Sequence, residues 1–404
     1  MFEIIRRELK NLRSPLYRNS IYISLSSLTT ALAGFVFWAV AARLYPAGDV
    51  GVASAVVSAL NLTFQLSMLG MNHALIRFYP EYRERAAGTA LFVTSIASLV
   101  FSLSYGLLMV TVKSFSGLKP SLFLIVFVIF SVVGTSYNVL STYAISRRKA
   151  EHSFVQSLLF SARFAFLFVL TALGALGIIS SFGLGLLLGL AYALIFIGGV
   201  SPGFDRGFLR EAFRFSLGNY LAGIASSASN YLMPTLILSM LGREEAAYFY
   251  IAFAVGNLIL FVPNAINTSF FVEGSHGLEN MGQTLRKAIV FSYAYLAFVT
   301  LFVWLFGEYI LRFFGEGYVG GLGLLILMVL GGFFVVPVNF SITVLNIQKR
   351  VREIVVINVT KAVLFLGLSY LLVSRFGIEG VGWAWIGSYL LLLFMIIVVI
   401  FGRK

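Results

Sequence analysis

Two basic residues stand where a charge is hardest to keep. Arg163 lies about ten residues into one long apolar run, and Lys361 about seven residues into another. A charge near the centre of a bilayer costs roughly 2.5–3.5 kcal/mol on insertion scales, so each needs a partner, a wet cavity or a reach to the interface. A guanidinium or an ammonium held there suits an anionic group such as a phosphate, through charge and through donors. The same residues can also fix helix packing, by snorkelling or by bonding a neighbouring carbonyl.

The acids point the same way. All 16 Asp and Glu fall in the connections or at the ends of runs, and none lies in the middle of one. Proton and sodium coupling usually draws on an intramembrane carboxylate, so a simple cation antiporter is disfavoured. Coupling through an acid at a cavity mouth, such as Asp49 or Glu273, stays open.

Other residues add polar and conformational chemistry. Arg18, Arg43, Arg77 and Arg214 sit at run ends, where they can meet a substrate or simply order the topology. Ser20, Ser24, Ser26, Ser27, Thr29 and Thr30 give the first run a polar face; Asn219, Ser226, Ser227, Ser229 and Asn230 do so for the seventh. Such faces suit a hydrophilic cavity, and hydroxyls that join helices are the competing use. Pro234 and Pro263 interrupt the seventh and eighth runs, and a proline removes one helix hydrogen bond. They are expected to be gating elements or fixed bends. His73, His152 and His276 have no metal-ligand spacing, and no phosphate loop or nucleophile elbow occurs. No catalytic residue, metal or cofactor is expected.

What positions these residues is a set of membrane-crossing helices. The chain has 404 residues, of which 59% are hydrophobic and 11% charged, with 40 Phe. Soluble domains carry about 25% charged residues. Continuous apolar runs of this length cross a ~30 Å hydrocarbon core as helices. They are expected near 19–42, 50–78, 87–112, 121–146, 153–174, 179–200, 212–241, 246–272, 284–307, 319–347, 354–374 and 380–401. The net charge of +13 does not imply nucleic acid, because the bases cluster in short connections. Of 29 Lys and Arg, 21 fall in one alternating set: the N-terminal tail, 77–85, 147–149, 206–214, 286–287, 349–352 and the C-terminus. Six fall in the other set: Arg43, Lys113, Lys119, Arg243, Arg312 and Arg375. This bias places both termini in the cytoplasm and requires an even number of crossings. Cysteine is absent, which excludes disulfides.

The reading is therefore an all-α integral membrane protein of about twelve transmembrane helices in two pseudo-symmetric six-helix lobes. Residues 1–200 form the first lobe, with a basic lead-in over 1–18; 201–211 form a turn-rich linker; and 212–404 form the second lobe. An internal repeat supports the division. At an offset of 196, Arg18 falls on Arg214, Ser20 on Ser216, Leu28 on Ile224, Asp49 on Glu245 and Gly51 on Ala247. Six crossings separate the copies, so the repeat is parallel.

Two motifs identify a relative. Ala41-Ala-Arg-Leu-Tyr-Pro-Ala-Gly-Asp-Val-Gly51 follows the first run, and Leu69-Gly-Met-Asn-His-Ala-Leu-Ile-Arg-Phe-Tyr-Pro80 closes the second. Together they resemble the N-terminal signature of the polysaccharide-transporter family. These are oligosaccharide flippases of the multidrug/oligosaccharidyl-lipid/polysaccharide exporter superfamily. The turn Leu241-Gly-Arg-Glu-Glu-Ala-Ala-Tyr248 and the basic Arg147-Arg-Lys149 and Lys349-Arg350 connections look like the family's as well. The resemblance implies a plasma-membrane protein that moves a polyprenyl- or dolichyl-(di)phosphate-linked oligosaccharide to the outer leaflet by alternating access. Helices one, two, seven and eight would line its cavity. Its partners would be that substrate, membrane lipids, a coupling H+ or Na+, and glycan polymerases or transferases. A multidrug or cation antiporter of the same superfamily is the first alternative. A membrane glycosyltransferase or ligase is the second; those chemistries need acidic or metal-binding residues in a substantial outer loop, and no such loop is read in this sequence.

Overall fold

A backbone in hydrocarbon must pair its polar groups within its own segment, and the apolar runs do so as helices. The computed structural model describes residues 15–111, 119–198, 200, 203–275 and 280–401. Most of the basic lead-in, together with Lys113, His276, Glu279 and Arg403–Lys404, lies outside the described residues.

Fifteen α-helices follow in order among the described residues. They are α1 (Pro15–Leu44), α2 (Ala47–Ser67), α3 (Met71–Tyr82), α4 (Glu84–Val110) and α5 (Pro120–Ser146). Next come α6 (Ala150–Ser161), α7 (Arg163–Val169), α8 (Ala175–Phe196), α9 (Arg206–Leu241) and α10 (Arg243–Ile259). The last five are α11 (Phe261–Ser275), α12 (Met281–Arg312), α13 (Leu322–Ile347), α14 (Val351–Phe376) and α15 (Glu379–Phe401). Eleven spans are long and apolar enough to cross a membrane, and α10 with α11, bent by 40°, makes a twelfth. Each expected run overlies one of them. The outer faces are what a bilayer requires: α12 exposes Phe298 (69%) and Trp304 (71%), and water would penalise so much open apolar surface.

The chain divides into two compact units, 1–46 with 56–220 and 47–55 with 221–404, so α2 and α9 each contribute to both. In the first unit, Met68, Met71 and Leu75 pack against Val139 and Phe208. A second cluster joins Leu140 and Tyr143 to Ala193 and Ile197. Arg147 follows α5 and donates to the Ile197 carbonyl at 2.7 Å, so a base of the 147–149 connection also closes the end of α8. In the second unit, Trp385 of α15 meets Phe253 of α10 and Phe365 of α14 edge-on.

Several spans expected to be continuous are broken. The second divides at Leu69–Gly70, both with positive φ, before α3. Gly70 is required there, since a Cβ would lie 2.6 Å from the Ser216 side chain. The break orphans the Leu66 carbonyl, and the Tyr220 hydroxyl takes it at 2.7 Å. The fifth span breaks between α6 and α7 at Ala162, and near its far end Tyr45 donates to the Leu167 carbonyl at 2.7 Å.

The prolines behave differently from one another. The α9 helix runs through buried Pro234 without a break. Pro263 stands just past the 40° bend and has no N–H to give Ile259, four residues back. Tyr295 of α12 fills that vacancy, its hydroxyl donating to the Ile259 carbonyl at 3.1 Å. Pro337, inside α13, leaves the Phe333 carbonyl in the same position, and Tyr293 donates to it at 3.0 Å. Two tyrosines on one helix, two residues apart and so on different sides of it, each replace a bond that a proline removed.

Candidate functional site

Within the first unit, α1, α2, α5, α6 and α8 line an open cavity of about 510 Å³. The α1 helix contributes Ser26, Ser27 and Thr30, part of the polar face read from the sequence. Asn61 and Phe64 come from α2, and Tyr137, Asn138 and Ser141 from α5. Ser153, Ser157 and Phe160 come from α6, and Phe182 and Leu186 from α8. These small polar residues recur at helical spacing, which keeps them on one face of each helix.

Hydrogen bonds hold the wall together. Ser26 and Ser157 share one at 2.6 Å between α1 and α6, and Ser141 and Ser153 share another at 2.6 Å between α5 and α6. Gln156 donates to the Tyr137 carbonyl at 3.0 Å, and its buried Oε1 has no hydrogen-bond partner. Asn61 and Asn138 each spend one N–H on the carbonyl four residues back, at 2.9 Å. Their side-chain oxygens remain for a guest. The lining contains hydroxyls, amides and aromatic rings, and neither an acid nor a base.

A buried charge packs against two of the lining residues. Arg163 opens α7 and is 3% exposed. Its guanidinium carbon lies 3.7 Å from the ring centroid of Phe160, and 5.2 and 5.4 Å from those of Phe37 and Phe182. Phe160 and Phe182 both line the cavity, so the cation packs against two of its lining rings. Gly185 makes room on α8: a Cβ there would come within 2.6 Å of the Arg163 Cβ. Cation–π contact with a desolvated ring is worth up to about 2 kcal/mol, which offsets part of the cost of burial. Arg163 is therefore a buried cation packed among aromatic rings, two of which line the cavity.

The other residues singled out by sequence lie elsewhere. Arg18 is exposed and faces Glu151 at 3.7 Å, beside Asn19, whose Oδ1 accepts from the Ala150 N–H. Together these contacts tie the foot of α1 to α6. Arg43, Arg77, Arg214 and Asn219 are exposed, and Arg77 lies 5.8 Å from the Phe78 ring centroid. Asn230 is half-buried on α9. Lys361 is half-buried on α14, on the same face as Ile357, Asn358 and Phe365. None of these lines the first unit's cavity. The resemblance implies a cavity among spans one, two, seven and eight, whereas this one is walled by spans one, two, four, five and six. Sequence reasoning passed over Asn138–Ser141 and Ser153–Ser157, whose i,i+3 and i,i+4 spacing was the available signal. Among the described residues no group of three His, Asp or Glu could hold a metal ion.

Helix count and apolar outer faces define an all-α, multi-pass membrane protein. Its fold is that of several solved transporters. A lipid II flippase, MurJ, in an inward closed conformation matches with a TM-score of 0.76 at 14% identity, over 94% of this chain and 87% of that one. An inward-facing multidrug resistance MATE family transporter of the MOP superfamily matches at 0.67 and 15%, over 94% and 98%. A MOP superfamily transporter from Pyrococcus furiosus, described as having a binding pocket of reverse polarity, matches at 0.57 and 15%, over 96% and 94%. No curated protein matches the sequence. Residues 16–272 match the family of polysaccharide biosynthesis proteins, and the chain belongs to that family.

Proposed function

We propose that this protein flips a polyprenyl- or dolichyl-(di)phosphate-linked oligosaccharide from the cytoplasmic to the outer leaflet of the plasma membrane by alternating access. One observation carries the reading: a cavity lined only by neutral groups, several of them hydroxyls and amides, with the Arg163 cation packed against two of its lining rings. Such a site favours an anionic, hydroxyl-rich guest over a cation, since it offers donors and positive potential and no carboxylate. Membership of a polysaccharide biosynthesis family and the fold shared with a lipid II flippase support it. Both termini face the cytoplasm in this reading, from the distribution of Lys and Arg. The substrate would come from glycan-assembling transferases and pass to a polymerase or transferase outside, with H+ or Na+ as the coupling ion.

The test is transport in vesicles. Purified protein reconstituted with a fluorescent lipid-linked oligosaccharide should raise the fraction open to an outer-leaflet quencher, with the substrate recovered uncleaved. Exposure equal to that of protein-free vesicles, with and without H+ and Na+ gradients, would overturn the proposal.

A further inference from the structure

Two amides meet between α11 and α13. Asn264 follows Pro263, and Asn339 lies two residues after Pro337. Asn339 Nδ2 donates to Asn264 Oδ1 at 3.1 Å, linking α11 to α13. One turn on, the Thr268 hydroxyl donates to the Asn264 carbonyl at 2.9 Å. Asn264 and Thr268 are both exposed. Asn264 keeps both N–H groups of its amide, and Asn339 keeps its side-chain oxygen and one N–H.

Their depth makes this informative. The span holding Asn264 ends at Gly274, and the span holding Asn339 ends at Ile347. At ~1.5 Å per helical residue the two amides lie roughly 12–15 Å from those ends, inside a ~30 Å hydrocarbon core. An amide open at that depth is costly against lipid tails, so this face calls for water or a polar guest. The pair is held rather than loose. Tyr295 and Tyr293 of α12 bond the carbonyls that Pro263 and Pro337 leave open, and the two amides bond each other.

We infer that Asn264, Asn339 and Thr268 form a second, uncharged subsite that binds sugar hydroxyls of the substrate. A sugar hydroxyl both donates and accepts, and a primary amide offers one group of each kind in a fixed plane. No charge is present among the three, so the subsite reads the glycan and not the phosphate. The inference rests on the flippase reading and adds to it a place where the glycan is read.

Two probes separate the subsite from the reading beneath it: farnesyl diphosphate, and farnesyl diphosphate carrying a disaccharide. Binding is measured on the purified full-length protein in nanodiscs. Asn264→Ala and Asn339→Ala should each weaken the sugar-bearing probe about tenfold, the loss expected of about 1.4 kcal/mol of hydrogen bonding, and leave the sugar-free probe within about twofold. Thr268→Val keeps the side-chain shape and should weaken the same probe alone, so the test survives poor folding of an Asn variant. If the variants weaken both probes equally, or neither while the wild type binds both, the subsite fails and the flippase reading stands. A melting temperature raised by sodium over choline in the wild type and not in Asn264→Ala would reassign the pair to a cation. If the wild type binds neither probe, the reading fails and the subsite with it.

Discussion

Removing the charge packed against the cavity's lining rings gives the sharpest test of what the cavity is for. The Arg163 guanidinium lies 3.7 Å from the centre of the Phe160 ring, and an anion resting on the other face of that ring adds about 4 Å. At a separation of about 8 Å and an effective dielectric near 20, one unit charge gains roughly 2 kcal/mol. That corresponds to about a 30-fold change in affinity. Arg163→Met removes the charge and keeps a long, polarisable side chain that can rest among Phe37, Phe160 and Phe182. The expected result is a Kd for farnesyl diphosphate raised about 30-fold, with the Kd for uncharged farnesol within about twofold. Arg163→Lys should fall between the two proteins, and salt should change the difference little because the charge is buried. Melting temperatures of the variants guard against a folding defect. Should Arg163→Met bind the diphosphate within threefold of wild type, or lose both probes equally, the electrostatic argument is wrong and the arginine only holds α7 in place.

Three further outcomes follow from the packing. Tyr295→Phe leaves the Ile259 carbonyl unpaired and should cost about 1–2 kcal/mol, read as a lower melting temperature; with Pro263→Ala added, a backbone N–H returns and most of that loss should vanish. Additive effects in the double variant would refute the bracing role. Gly185→Ala pushes a methyl against the Arg163 Cβ and the Phe160 carbonyl, at 2.6 and 2.8 Å, and should destabilise by about 1–3 kcal/mol; an unchanged melting temperature would show that α8 can shift aside. Ser157→Ala removes one side of the 2.6 Å bond to Ser26 and should cost about 0.6 kcal/mol, near the mean for such bonds between membrane helices, so a loss above 2 kcal/mol would mark it as more than helix adhesion.

The spans were legible because hydrocarbon leaves few options. A run of apolar residues with charges only at its ends has to become a helix of about that length, and the expected boundaries fall on the observed spans within a few residues. The breaks inside them were not legible. Leu69–Gly70 and Ala162 lie in runs read as continuous helices, and what packs on the breaks comes from elsewhere in the chain: Ser216 and Tyr220 at the first, Tyr45 near the second. Arg163 illustrates the same division. Its depth could be counted along the sequence, whereas its aromatic neighbours Phe37 and Phe182 belong to α1 and α8 and no spacing pairs them. The polar face of α1 was visible as a run of serines and threonines. Its complement was passed over because one Asn and three Ser spread over α5 and α6 look ordinary until the helices are set side by side.

The tyrosines of α12 bear on how such a protein can change over generations. A proline acquired in a membrane helix uncovers a carbonyl that lipid cannot serve, so it is tolerated best where another group, such as a hydroxyl, already reaches that carbonyl. Pro263 with Tyr295, and Pro337 with Tyr293, are each then a single heritable trait written at two distant places in the gene. Either tyrosine can be lost cheaply only after its proline has gone. Among descendants of a common ancestor the four positions should change in that order, leaving lineages with the tyrosine and no proline, and few with the proline alone.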